Sequence, residues 1–261
     1  MDQKRLKLMK HRMTLAFVVL GLATSVRAQE SQPSDQTQTS PRVVRPFPGI
    51  LVKPDEQIVE IEATVCLDAG WLEQIACAPA SREHESLVVI SSKPSEVHAA
   101  LLLAGYESGH PGRWIYEDDK VRTEPPKGDA VNILVRYPDE HGTPREKPIG
   151  FWIRDHNGAH EFPEMPWIFG GSGFKTYPEG LGEGEFYIAD MSGSIIGLVT
   201  FGDEVLGFGE VLSDQVSIRA PEWEVNTDVI PAMGTKVTIV IRPVSVVDEK
   251  ATTSPVKSSG E

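Results

Sequence analysis

Residues 58–67 read IVEIEATVCL, and a two-residue period divides them into two faces. Val59, Ile61, Ala63, Val65 and Leu67 share one side; Glu60, Glu62, Thr64 and Cys66 share the other. Successive side chains of a strand point to opposite faces, so this alternation predicts a strand with one face buried and one in water. The pattern recurs downstream. In residues 131–137, Val131, Ile133, Val135 and Tyr137 point one way, Asn132 and Arg136 the other. In residues 236–242, Val237, Ile239 and Ile241 form the inner face. Residues 71–77, 86–91, 149–154, 185–190 and 194–201 are further strand candidates, set apart by Gly and Pro clusters of the kind that turns require.

One helix interrupts this series. Pro94 suits a first helical turn, where its missing N–H leaves no bond unmade. Val97, Ala100, Leu101 and Ala104 follow at i, i+3, i+4 and i+7, and Gly105 fits the left-handed position just past the end. Such a stripe predicts a helix laid on a sheet. The expected fold is α+β: a mainly antiparallel β-sheet with one prominent helix, in a single domain.

The ends carry a different signal. Lys4, Arg5, Lys7, Lys10 and Arg12 precede an apolar run from Met13 to Ala23, and Val26-Arg27-Ala28 resembles a cleavage site before Gln29. These three parts predict a signal peptide over residues 1–28, cut between Ala28 and Gln29. The apolar run is about a dozen residues, short of the roughly 20 that span a bilayer, so no stable membrane span is expected after its removal. Export to the periplasm or the extracellular space follows. Residues 29–47, rich in Gln, Ser, Pro and Thr, read as a disordered leader and residues 248–261 as a similar tail, leaving a domain over residues 48–247.

Charge excludes some partners. The chain carries a formal net charge of −13. Without residues 1–28, which hold six basic residues and Asp2, it keeps 19 basic and 37 acidic residues, a net of −18. Nucleic-acid binding by counterion release needs a basic surface, and anionic lipid repels an acidic one. The expected partner is a protein or a glycan.

Several blocks together resemble a known family. Cys66, Leu72-Glu73, Cys77, His84-Glu85-Ser86 and His98-Ala99-Ala100-Leu101 form the first. Pro166-Trp-Ile-Phe-Gly-Gly-Ser-Gly-Phe174, Tyr187-Ile-Ala-Asp190, Ile230-Pro231 and Gly234-Thr-Lys-Val237 follow in order. Over about residues 51–244 the chain resembles the YdjY-domain family of exported bacterial proteins. That resemblance implies no activity and no catalytic residues to carry over. An iron–sulfur reading attached to some members does not fit this chain, because a typical cluster takes four cysteines and only two are present.

Two cysteines in an exported chain point to a disulfide, Cys66–Cys77. If residues 58–67 and 71–77 formed a tight hairpin, the two would lie roughly 13–16 Å apart, beyond the ~7 Å that a bridge tolerates. A bridge therefore requires that these strands not be simple hairpin partners; separate thiols and metal ligation stay open. His84, Glu85 and His98, joined by a cysteine, are the candidate metal ligands, and zinc is the ion that such a set suits. Against them stands the absence of any CxxC, HxH or HExxH spacing.

The Phe169–Phe174 loop lacks the last glycine of a nucleophile elbow and the Gly-Lys-Ser/Thr end of a phosphate loop, so its glycines read as conformational. Trp152, Trp167, Phe169, Phe174 and Tyr177 are either core or a stacking platform. A thiol-redox role is weakened by the missing Cys-x-x-Cys. The sequence thus predicts an exported, non-catalytic binding or structural module without a cofactor, with a metal-binding protein or metal-dependent enzyme as the alternative.

Overall fold

Eight strands carry the fold in the computed structural model, which describes residues 41–117, 120–180, 182–213 and 222–244. They are β1 (Ile58–Val65), β2 (Gln74–Cys77), β3 (Ser86–Val89), β4 (Ala130–Pro138), β5 (Trp167–Ile168), β6 (Ser194–Gly197), β7 (Leu206–Phe208) and β8 (Lys236–Pro243). Their hydrogen-bonded order is β1-β8-β4-β5-β7-β6-β2-β3, and β3 then pairs back onto β1. The ring closes. Six of its junctions are antiparallel, and β2–β3 and β6–β7 are parallel.

Register shows how the alternating sequences fill this ring. Ile61 lies opposite Ile239, and Ile239 opposite Val135; Val59 faces Ile241, and Ile241 faces Ile133. Across the closing seam, Val65 meets Val88, Val88 meets Ala76, Ala76 meets Ile196 and Ile196 meets Leu206. All of these side chains are buried in one core cluster. Each row buries apolar surface contributed by successive strands, which at about 25 cal/mol per Å² is the dominant stabilising term.

This corrects the expected fold class. The chain is mostly β, a closed eight-stranded barrel, and not an α+β sheet with a helix on its face. The physical reason is that alternation fixes which side of a strand is buried, and a closed barrel covers that side with the facing strands. The helix is present without being needed as a lid for the sheet. It is α1 (Pro94–Leu103), with Gly105 at φ +96° beyond its end and the Glu96 carboxylate accepting the Lys93 N–H at 2.9 Å. Val97, Ala100 and Leu101 are its buried face, packed against Ile50–Lys53, β6 and a short second helix, α2 (Ile188–Ser192). Among the described residues no helix is long and apolar enough to cross a membrane.

Other expected elements shift. Val44–Phe47, assigned to the leader by composition, is a strand paired antiparallel with Ile50–Lys53, so ordered structure begins earlier than residue 48. Residues 149–154 divide into a 3-10 turn (Ile149–Trp152) and a three-residue strand (Ile153–Asp155). Residues 185–190 turn from strand (Glu185–Tyr187) into α2. The expected signal peptide, its expected cleavage site at Ala28–Gln29, the expected leader up to residue 40 and the expected tail lie outside the described residues.

Candidate functional site

Strand β1 shares one edge between two partners. Residues 58–61 pair with Ile50–Lys53, while Thr64 and Val65 pair with β3. Between them, on this edge, the Glu62 N–H donates to the Gly49 carbonyl at 2.8 Å. The ladder splits here, and the split leaves a notch on the outer face of the barrel. One hollow of about 470 Å³ is lined by Arg45, Phe47, Gly49, Glu60, Glu62 and Thr238. A second, of about 310 Å³, shares Pro48, Gly49 and Glu62 with it and adds Thr64, Ser92, Glu96 and Lys236.

The notch is polar and of mixed charge because the outer positions of β1 and β8 are its floor. Ion pairs stiffen one flank: Glu60 accepts from Lys53 at 2.8 Å and from Arg136 at 3.3 Å, and Arg136 also reaches Glu146 at 2.8 Å. These cations hold the Glu60 carboxyl below its usual range even though burial alone would raise it. On the other flank Ser92 donates to the Pro48 carbonyl at 2.8 Å, and Lys236 to the Thr64 hydroxyl at 2.9 Å. The rim strand Val44–Phe47 is bonded on one edge only; among the described residues no strand pairs with its other edge.

The two cysteines flank β3, the arrangement without a hairpin that the sequence reading left open. β1 and β2 are not hairpin partners; β3 lies between them, antiparallel to one and parallel to the other. The Cys66 N–H donates to the Leu87 carbonyl at 3.0 Å, and Cys77 is in register with Val89. Both are thiols, Cys77 buried and Cys66 half-buried. Cys66 Sγ donates to the Ser86 carbonyl at 3.1 Å. Contact with Cys66, and then the hydroxyls of Ser86 and Ser81, pull the Cys77 thiol down, and the same contact pushes Cys66 up, so the pair gives up one proton readily and resists losing a second.

The expected metal ligands are not brought together. His84 and Glu85 are neighbours, 3.5 Å apart, but the His84 side chain is 77% exposed. His98 is engaged elsewhere, edge-on to Phe169 and Tyr187, with Nδ1 2.8 Å from the Tyr187 hydroxyl. Because that hydroxyl donates to the Gly171 carbonyl at 3.0 Å, Nδ1 is the donor in the His98 contact and carries the ring proton. Burial lowers the His98 pKa, in keeping with a neutral ring. Among the described residues no group of three or more His, Cys, Asp or Glu side chains is placed to share an ion.

The glycine loop is structural. Gly171 and Ser172 have φ of +82° and +52°, and a Cβ on Gly170 would come within 2.8 Å of the Pro111 backbone. Ser172 Oγ donates to the Asp203 carbonyl at 2.6 Å and accepts from the Ala189 N–H at 3.2 Å, so it caps the start of α2 and has no spare proton for nucleophilic work. Of the five aromatics, Trp152, Trp167 and Phe169 are core. Phe174 stands 66% exposed, its ring against Tyr187. The notch escaped sequence reasoning because it arises from a divided ladder, and no local pattern marks a divided ladder.

Neither the curated proteins nor the solved structures contain a significant match to this chain. The family model of the YdjY domain matches residues 50–242, the span from the strand beside the notch to the last turn of the barrel ladder, and the chain belongs to the YdjY-domain family.

Proposed function

We propose that this protein is an exported, non-catalytic module of the cell envelope that holds an extended segment of a partner protein in the notch beside β1. The notch carries the reading. Its hollows fall in or near the ~300–1,000 Å³ range of ligand sites. Its rim offers a strand edge of the kind that extended peptides pair with, and its lining alternates Arg45, Glu62, Glu96 and Lys236, groups that select a partner by charge. Support also comes from the barrel interior, which is filled by aliphatic rows, and from Ser172, whose hydroxyl is committed to the backbone. Export rests on the basic, apolar and small-residue parts of residues 1–28.

The test is capture of envelope proteins by the mature chain and by Glu62→Arg, beside a glycan array. Saturable capture of a protein that weakens at least tenfold in Glu62→Arg supports the reading. Equal capture by both chains, or binding to a glycan alone, overturns it. Export is tested by fractionation and N-terminal sequencing: a chain beginning at Gln29 outside the cytoplasm is expected, and an intact Met1 in the cytosol contradicts it.

A further inference from the structure

Register sets the order in which charges line the notch. Along β1 the outward positions 60, 62 and 64 follow one another at two-residue steps, roughly 6.6–6.8 Å each at strand rise. At the first step Glu60 lies opposite Leu51. Arg45 stands beside Leu51, between the Val44–Val52 and Phe47–Ile50 pairs of the rim. At the second step is Glu62, the charged residue common to both hollows. At the third, Lys236 is directly opposite Thr64.

Not all of the lining charges are free to meet a partner. Glu60 is engaged by Lys53 and Arg136, and the Glu96 carboxylate accepts the Lys93 N–H at the start of α1. Arg45, Glu62 and Lys236 are left. All three are exposed, and none forms an ion pair among the described residues. The Lys236 ammonium donates to a neutral group, the Thr64 hydroxyl. The notch thus presents a positive, a negative and a positive charge in sequence along β1. An extended chain repeats with the same step, because its side chains at i, i+2 and i+4 share one face. The complement of the notch is an acid, a base and an acid on that face, a pattern that reads alike in either chain direction.

We infer, resting on the notch as a peptide site, that the partner segment is an extended strand with acidic, basic and acidic side chains at alternate positions, set against Arg45, Glu62 and Lys236 in turn. Exposed ion pairs add little affinity singly, and like charges placed opposite one another repel, so the three together fix register and reject the inverted pattern.

The experiment uses two synthetic peptides, Thr-Glu-Val-Lys-Val-Glu-Thr and its charge-inverted counterpart Thr-Lys-Val-Glu-Val-Lys-Thr. Each has blocked ends and a neutral fluorophore, and binding to the full chain is read by fluorescence anisotropy. The chain's net charge of −13 attracts the inverted, net positive peptide, so long-range steering works against the expected result. At ~0.1 M salt the first peptide should bind at least tenfold tighter than its counterpart, and the gap should narrow in ~1 M salt. The double variant Arg45→Glu, Lys236→Glu, shown folded by circular dichroism, should reverse the order. Equal binding of the two peptides, tighter binding of the inverted one, failure of both to bind, or an unchanged order in the double variant overturns the charge pattern. The peptide site itself stands or falls separately: capture of an envelope protein that weakens in Glu62→Arg, with the two peptides binding alike, keeps the site and removes the pattern.

Discussion

Replacing Ile61 by Ala tests whether β1 has one face enclosed by a barrel. Ile61 is fully buried, opposite Ile239 on β8 and Ile50 on the flanking hairpin. The change deletes three carbons, worth about 2.4 kcal/mol of transfer free energy at about 0.8 kcal/mol each. The hollow left is about 65 Å³, and at about 24 cal/mol per Å³ it adds about 1.5 kcal/mol, because hydrogen-bonded neighbours on both sides stop the ladder from collapsing inward. The expected cost is about 4 kcal/mol, a fall in melting temperature of roughly 8–16 °C for a domain of this size. Glu62→Ala is the control: one residue along, exposed on the outer face, it should change stability by no more than about 0.5 kcal/mol. Urea unfolding of both variants, followed by circular dichroism, reads the difference. A cost below about 1 kcal/mol for Ile61→Ala, or equal costs for the two, would refute an enclosed inner face.

Two carboxylates make opposite predictions with pH. Asp155 accepts the N–H groups of Asn157, Ala159 and His160 at 2.9–3.0 Å, and these donors, Asn157 foremost, hold its pKa below the ordinary value. A depressed folded pKa gives stability that is present above the ordinary value of 3.8 and lost as pH falls through the folded one. Asp155→Ala should therefore lower the urea midpoint at pH 7, with the gap from the parent closing as pH falls below 3.8; a gap that persists in acid would refute this. Glu204 behaves the other way. Burial pushes it up to about 7, against the Gly202 and Asp203 N–H groups that it accepts at 2.9 and 3.0 Å. Stability is then lost as pH rises from 4.5 to about 7, by roughly 3 kcal/mol once the buried group is charged. Glu204→Gln should gain on the parent between pH 5 and pH 8 in unfolding midpoints, and a constant difference across that range would count against the buried charge.

What was legible in the sequence was local. The three segments with strict alternation, 58–67, 131–137 and 236–242, became β1, β4 and β8, adjacent in the ring with boundaries within two residues. The helix was readable from Pro94, its apolar stripe and Gly105, since each reports a backbone requirement of its own. Closure was not readable. It depends on β3, a four-residue strand buried at three of its positions, which carries no alternating face to say what lies on either side. Whether β1 and β2 pair as a hairpin, left open by the sequence, was not readable for the same reason: residues 67–73 are short enough to turn tightly, yet Leu72 donates to the Trp223 carbonyl instead of sending β2 back along β1. β5 and β7, two and three residues long, give too little sequence for a period. The family was legible in ordered blocks of residues. The placement of the cysteines was not, because it is set by a strand that lies between them in space and after them in the chain.

Backbone contacts at Val88 test the barrel most directly. In nuclear magnetic resonance spectra of the labelled protein, Val88 should show cross-strand contacts to Val65 on one side and to Ala76 on the other, with Thr64 reaching Val89 as well. Contacts from Val88 to one neighbour only, together with contacts joining residues 61–62 to Cys77, would show β1 and β2 paired as a hairpin and the ring open.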